Sequence, residues 1–232
     1  MPTHKRPTRR RAAWTPSRSM GLRRFHAKRR LLASDDEFKQ ALTVLDRYPK
    51  RVTFFGSARD IPANQRYREA AYELSYKLAK DNYAIVSGGG GGIMQASNRG
   101  AFEAGGVSVG FNIGLPHEQH LNPYTTHSFT FHYFFTRKVT MTFYSHAYIY
   151  FPGGFGTLDE FTEVLTLIQT KKMPGLRIVL FGSAYWKPLD EFFRQHLLAH
   201  GYVSKGDEKL YVITDDVDEA VRLVNTGFEP SV

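Results

Sequence analysis

The stretch "FPGGFGTLDEFTEVL", Phe151 to Leu165, joins an apolar run to a helical pattern carrying three carboxylates. Its junction holds Pro152, Gly153, Gly154 and Gly156. Glycine inside an element costs stability, so a cluster of them marks backbone that must approach something closely. Two other strand-to-helix junctions have a similar make-up: "FFGSAR" and "VSGGGGGIM". A helix start offers unpaired N–H groups and partial positive charge, which suits a phosphate. Ser57, Gly89, Gly90 and the segment from Gly153 through Phe155 to Thr157 are therefore candidate contacts, the Thr157 hydroxyl adding a hydrogen bond. One such loop fits a tight turn equally well; three favour a ligand.

The spacing predicts a helix from Thr157 with Leu158, Phe161, Leu165 and Ile168 on one apolar face. Thr157, Glu160 and Glu163 recur on another. Dipole complementarity alone explains acids near a helix start. Beside a phosphate seat, however, Glu160 is within reach of a sugar. There a carboxylate can hold ribose hydroxyls, stabilise an oxocarbenium-like transition state, or activate a water. Arg137 and Lys138 are candidate counterions for the phosphate or the departing base, and Tyr133, Arg137 and Met141 share a helical face. Taken alone, an Arg–Lys pair fits an ordinary solvated surface. The dinucleotide fingerprint G-x-G-x-x-G fails, and no G-x-x-x-x-G-K-[ST] occurs.

The elements that must position these groups alternate along the chain. Ser34 and Glu37 fit a capping box opening a helix to about Tyr48. Strands are expected at 51–56, 83–88, 107–112, 127–131, 147–151, 177–182 and 210–214. Helices are expected at 64–81, 92–105, around Arg137, from Thr157, near 185–199 and from Asp215. Short apolar strands between helical patterns imply a three-layer α/β/α, Rossmann-like domain, residues 35–232, around a mainly parallel sheet. Ligands then sit beyond the carboxyl ends of the strands.

The 232 residues are 42% hydrophobic, enough for one sizeable core. No run of eighteen apolar residues occurs, so no membrane span is expected. The absence of cysteine excludes disulfides and thiolate chemistry and fits a reducing, cytoplasmic setting. The formal charge of +9 is localised: residues 1–34 hold eleven Lys/Arg and no acid, leaving 20 bases against 22 acids elsewhere. This basic arm, expected to be disordered, admits contact with nucleic acid, anionic lipid or an acidic partner, a merely solvated extension, or an organelle transit peptide. His117, His120, His127 and His132 cluster, but without cysteine or H-E-x-x-H no metal site is expected.

"PGGFGTLDE" (152–160) and "RKVTM" (137–141) resemble the P-G-G-x-G-T-x-x-E and R-K-x-x-M motifs of the LOG ("Lonely Guy") family, the cytokinin riboside 5′-monophosphate phosphoribohydrolases. "SGGGGGIMQASNRGAFEAGG" (87–106), "NIGLPHEQHLNPY" (112–124) and "LTLIQTKK" (165–172) are similar to its longer, bacterial-type branch. The resemblance implies hydrolysis of a nucleoside 5′-monophosphate, AMP or a cytokinin ribotide, to free base and ribose 5-phosphate. It implies Arg137 and Glu160 as the catalytic pair. Glu118, Lys138, Gly153, Gly154, Phe155, Gly156, Thr157, Leu158, Asp159 and Thr166 would contact the nucleotide. A homodimer or higher oligomer and no cofactor are further implications. Gly91 replaces the branch's proline, Gln95 its glutamate, and Asp159 is a methylene shorter than the plant acid; these bear on specificity more than on the catalytic positions. Two alternatives stand beside the hydrolase: a non-catalytic nucleotide or molybdenum-cofactor carrier, and nucleic-acid binding through the arm.

Overall fold

Strand order in the sheet reverses once, and that reversal sets where a ligand can lie. The computed structural model describes residues 33–114 and 120–226. Residues 1–32 of the predicted arm, with Glu118 and His117, lie outside the described residues. Two compact units divide the chain after Asp36, and the second, Glu37–Val232, contains the sheet. Seven strands, β1 (Arg51–Phe55), β2 (Ala84–Ser87), β3 (Ser108–Ile113), β4 (His127–Phe131), β5 (Ala147–Tyr150), β6 (Arg177–Phe181) and β7 (Tyr211–Thr214), are all parallel in the order β4-β3-β2-β1-β5-β6-β7. The switch falls between β1 and β5, paired Val52 to Ala147 through Phe55 to Tyr150.

Helices are α1 (33–45), α2 (Gln65–Lys80), α3 (Ile93–Glu103), α4 (Phe134–Phe143), α5 (Phe155–Gln169), α6 (Ser183–Phe192) and α7 (Val217–Thr226). Strands β2, β3 and β5 are buried along their whole length, as parallel strands covered on both faces must be, whereas edge strand β4 alternates. The pleat sends successive residues to opposite cores. Phe55, Tyr148 and Tyr150 join Phe111, Met141, Phe161 and Trp186 on one face. Phe54, Ile149 and Phe151 join Leu74, Ile93 and Val224 on the other.

Two expectations shift. Helix α5 begins at Phe155, two residues before Thr157, because Gly154 supplies an extended N-cap and Gly156 is accommodated in the first turn. Its buried face is Thr157, Phe161, Val164 and Ile168, so Thr157 belongs with the core rather than beside Glu163, and Leu158 and Leu165 are half-buried. The helix expected near 185–199 starts at Ser183 and passes into a π-helical turn, Phe193–Leu198.

Candidate active site

Phe161 fixes the rotation of α5. Its ring is fully buried and meets Tyr150, Trp186 and Tyr211 edge-on, with centroids 5.4, 5.5 and 5.7 Å away. The Tyr150 hydroxyl donates to the Glu160 carbonyl at 3.1 Å. With the helix so locked, the Glu160 side chain turns toward α4, where Arg137 Nη1 lies 3.9 Å from Glu160 Oε1. The two side chains are only 12% and 17% exposed, so solvent screens them weakly.

Helix α4 is held from two sides. Glu37 of α1, read from the sequence as half of a capping box, gives both carboxylate oxygens to its start. Oε1 accepts from the His132 amide at 2.7 Å and Oε2 from the Thr136 hydroxyl at 2.5 Å. On the sheet side, Arg137 Nε donates to the Phe111 carbonyl of β3 at 2.6 Å. The guanidinium fits only because residue 88 is glycine: a Cβ there would stand 2.1 Å from Arg137 Nη2 and 2.6 Å from Met94 Sδ.

Burial governs the charges. It pushes the Glu160 carboxyl up to about 7, against the opposing pull of Arg137. It lowers the Arg137 guanidinium, with Glu160 acting the other way. At 3.9 Å the pair is beyond hydrogen-bonding distance, which leaves carboxylate and guanidinium with capacity for a third group. Lys138 differs. Its Nζ donates to Asp159 Oδ2 at 2.7 Å and lies 2.9 Å from Glu163 Oε2, the latter without hydrogen-bond alignment. Burial pulls this ammonium down, yet the two carboxylates outweigh it and the net shift is upward.

Three predicted loops meet here. The Ser57 amide donates to the Pro152 carbonyl at 3.0 Å, and the Ile93 amide to the Ser57 carbonyl at 3.0 Å. No side chain caps α5, and Phe155 is 92% exposed. A Cβ at Gly153 would collide with the Thr157 hydroxyl, whereas one at Gly154 or Gly156 would meet nothing within 4 Å. The glycine run after β2 is tied inward: the Gly89 amide donates to the Ser87 hydroxyl, and the Gly89 and Gly90 carbonyls accept from the Asn122 amide and side chain. Behind it, buried Asn98 links Ser87, Ser108 and Asn122. That network was not anticipated; only the polar residues inside "IMQASNRG" hinted at it.

Other predicted residues go elsewhere. The Thr166 hydroxyl donates to Thr162 O on its own helix, and Thr166 lines an apolar pocket with Phe193, Leu197 and Tyr211. Gln95 opens onto a cleft of about 670 Å³ between α2 and α3, lined with Arg68, Tyr72 and Arg99 and by none of Arg137, Lys138 or Glu160. His127 approaches Tyr48 and Thr126, His132 pairs with Glu37, and His120 is exposed. Among the described residues no group of three or more His, Asp or Glu could hold a metal ion, and no helix is long and apolar enough to cross a membrane.

A family model described as "Possible lysine decarboxylase" matches residues 94–224. The chain is similar to a protein of Rhodococcoides fascians named cytokinin riboside 5′-monophosphate phosphoribohydrolase, 26% identical over 184 residues, which is 77% of this chain and 90% of that protein. Among solved structures it resembles a structural-genomics target at 24% identity and TM-score 0.59, covering 76% of this chain and 99% of that one. It also resembles the molybdenum cofactor binding protein of Rippkaea orientalis, at 16% identity and TM-score 0.57, covering 77% and 96%. At such identities the two structures speak for the fold alone.

Proposed function

We propose, on the premise that the chain belongs to the LOG/lysine decarboxylase-like family, that it hydrolyses the N-glycosidic bond of a nucleoside 5′-monophosphate. AMP and adenine ribotides carrying an isoprenoid group are the substrates of choice, and the products are free base and ribose 5-phosphate. The observation that carries this reading is the mostly buried Arg137–Glu160 pair at 3.9 Å, beside a glycine loop open to solvent. The phosphate rests on the amides at the start of α5, and the ribose reaches Glu160. The C1′–N bond breaks with its electron pair going to the base, water oxygen bonds C1′, and Glu160 takes the water proton, which then passes to the base nitrogen and restores the carboxylate. A carboxyl near 7 suits that task at neutral pH. Arg137 offers its free N–H capacity to the ribose hydroxyls or to the departing base.

The decarboxylase description calls for a lysine that forms a Schiff base with pyridoxal phosphate. Such a lysine needs its pKa lowered, and that of Lys138, beside the pair, is raised by Asp159 and Glu163. Lys138 does not fit that group.

A product assay over a panel of nucleoside monophosphates tests the proposal. Base and ribose 5-phosphate should appear, and Glu160→Gln should lower turnover by roughly a thousandfold while leaving nucleotide binding measurable. Full activity in that variant would refute the role. Ligand co-purification without turnover would favour the carrier instead. The reading includes a cytoplasmic homodimer, checked by light scattering on the purified protein.

A further inference from the structure

The β5–α5 loop turns its carbonyls inward. Tyr150 O accepts from Trp186 Nε1 at 3.2 Å, Pro152 O from the Ser57 amide at 3.0 Å, and Gly153 O from the Tyr185 hydroxyl at 2.8 Å. Among the described residues no peptide is cis, and across a trans peptide the carbonyl and the following N–H point to opposite sides. The Gly153 N–H therefore points away from Ser57, and the Gly154 N–H away from Tyr185. Gly154 is exposed, and a Cβ on it would meet nothing. A peptide between two glycines has little intrinsic preference for one orientation. Something must choose it.

We propose that Tyr185 is a positioning residue: its hydroxyl holds the Gly153 carbonyl and so presents the Gly154 amide to the anionic end of the nucleotide. This rests on the phosphate seat of the proposed hydrolase, and nothing in the sequence motifs points to it. Tyr185 lies on α6, thirty-two positions beyond Gly153. Its ring packs edge-on against Trp186 with centroids 4.8 Å apart, so Tyr185→Phe keeps the packing and removes only the hydrogen bond. With the hydroxyl gone, the peptide is free to flip and set a carbonyl against the phosphate.

The test compares full-length wild type and Tyr185→Phe by calorimetric titration with inorganic phosphate and with ribose 5-phosphate, alongside steady-state kinetics on AMP. Affinity for both ligands should fall about tenfold, the worth of one charge-assisted hydrogen bond. KM should rise by the same factor, with kcat and the pH profile unchanged; a merely structural role would not split the constants in this way. Unaltered phosphate affinity in Tyr185→Phe, or a loss confined to kcat, overturns the inference. A wild type that binds phosphate but turns over no nucleotide, with binding weakened in Tyr185→Phe, sinks the hydrolase and keeps Tyr185 in its role. A wild type that binds neither ligand overturns both.

Discussion

In the loop after β2, a side chain at Gly88 would strike the Arg137 guanidinium at 2.1 Å, whereas in the loop after β5 a side chain at Gly154 or Gly156 would meet nothing within 4 Å. The first loop also needs left-handed backbone, with Gly89 at φ +70° and Gly92 at φ +60°, and a Cβ on Gly92 would sit 2.3 Å from the Ser57 carbonyl. Its glycines answer to the protein's own packing. Those at 154 and 156 have no such internal reason, and Gly156, inside the first turn of α5, forgoes stability. Two glycine runs of similar composition therefore have different causes, and only the one after β5 leaves open the space that the proposed phosphate seat requires.

Substitutions can break that contrast. Gly88→Ala should displace Arg137 and lower kcat/KM on AMP by at least about a hundredfold, while overpacking costs about 1–3 kcal/mol in a denaturant melt. Near-normal turnover would mean that the guanidinium is not needed where Gly88 lets it lie. Glu160, held by the second loop's helix, gives the next effect. Its pKa is raised from the ordinary 4.5 to about 7, so the folded state prefers the protonated form. The stability it contributes is full below 4.5 and is lost as pH rises through 7. Glu160→Gln should therefore exceed wild type by about 3 kcal/mol at pH 8 and show no advantage at pH 4, read by chemical denaturation. An advantage independent of pH would contradict the burial argument. The smallest expected change is the sharpest for the comparison. Gly156→Ala should gain about 0.5–1 kcal/mol of stability and lose roughly tenfold in phosphate affinity. A variant that gains stability without losing affinity erases the distinction between the loops.

The alternation of strands and helices was legible because each short apolar run had to be covered on both faces; β4 matches its expected bounds, His127–Phe131. The start of α5 was not, since Gly154 and Gly156 read as loop and the exposed Phe155 breaks the apolar period. Arg137 and Glu160 were marked by local pattern and by resemblance, and the fold brings them together. Gly88, Asn98, Glu37 and Tyr185 escaped notice as site-builders. Each acts on a carbonyl, a backbone amide or a side chain distant in the sequence, and no spacing records such a contact. Thr166 shows the reverse case, a residue on the right helix whose hydroxyl is spent on that helix's own backbone.

Arg137 is tied to Phe111 on β3, while the backbone of Glu160 is tied to Tyr150 on β5. With β2 and β1 lying between, the two anchor strands are separated by about 14 Å at ordinary strand spacing. The Arg137–Glu160 pair is thus stitched across the seam where the chain reverses its winding. On the proposed hydrolase reading, turnover becomes a gauge of that seam: a molecule whose two halves each kept their helices but slipped past one another would look folded by circular dichroism and be inert.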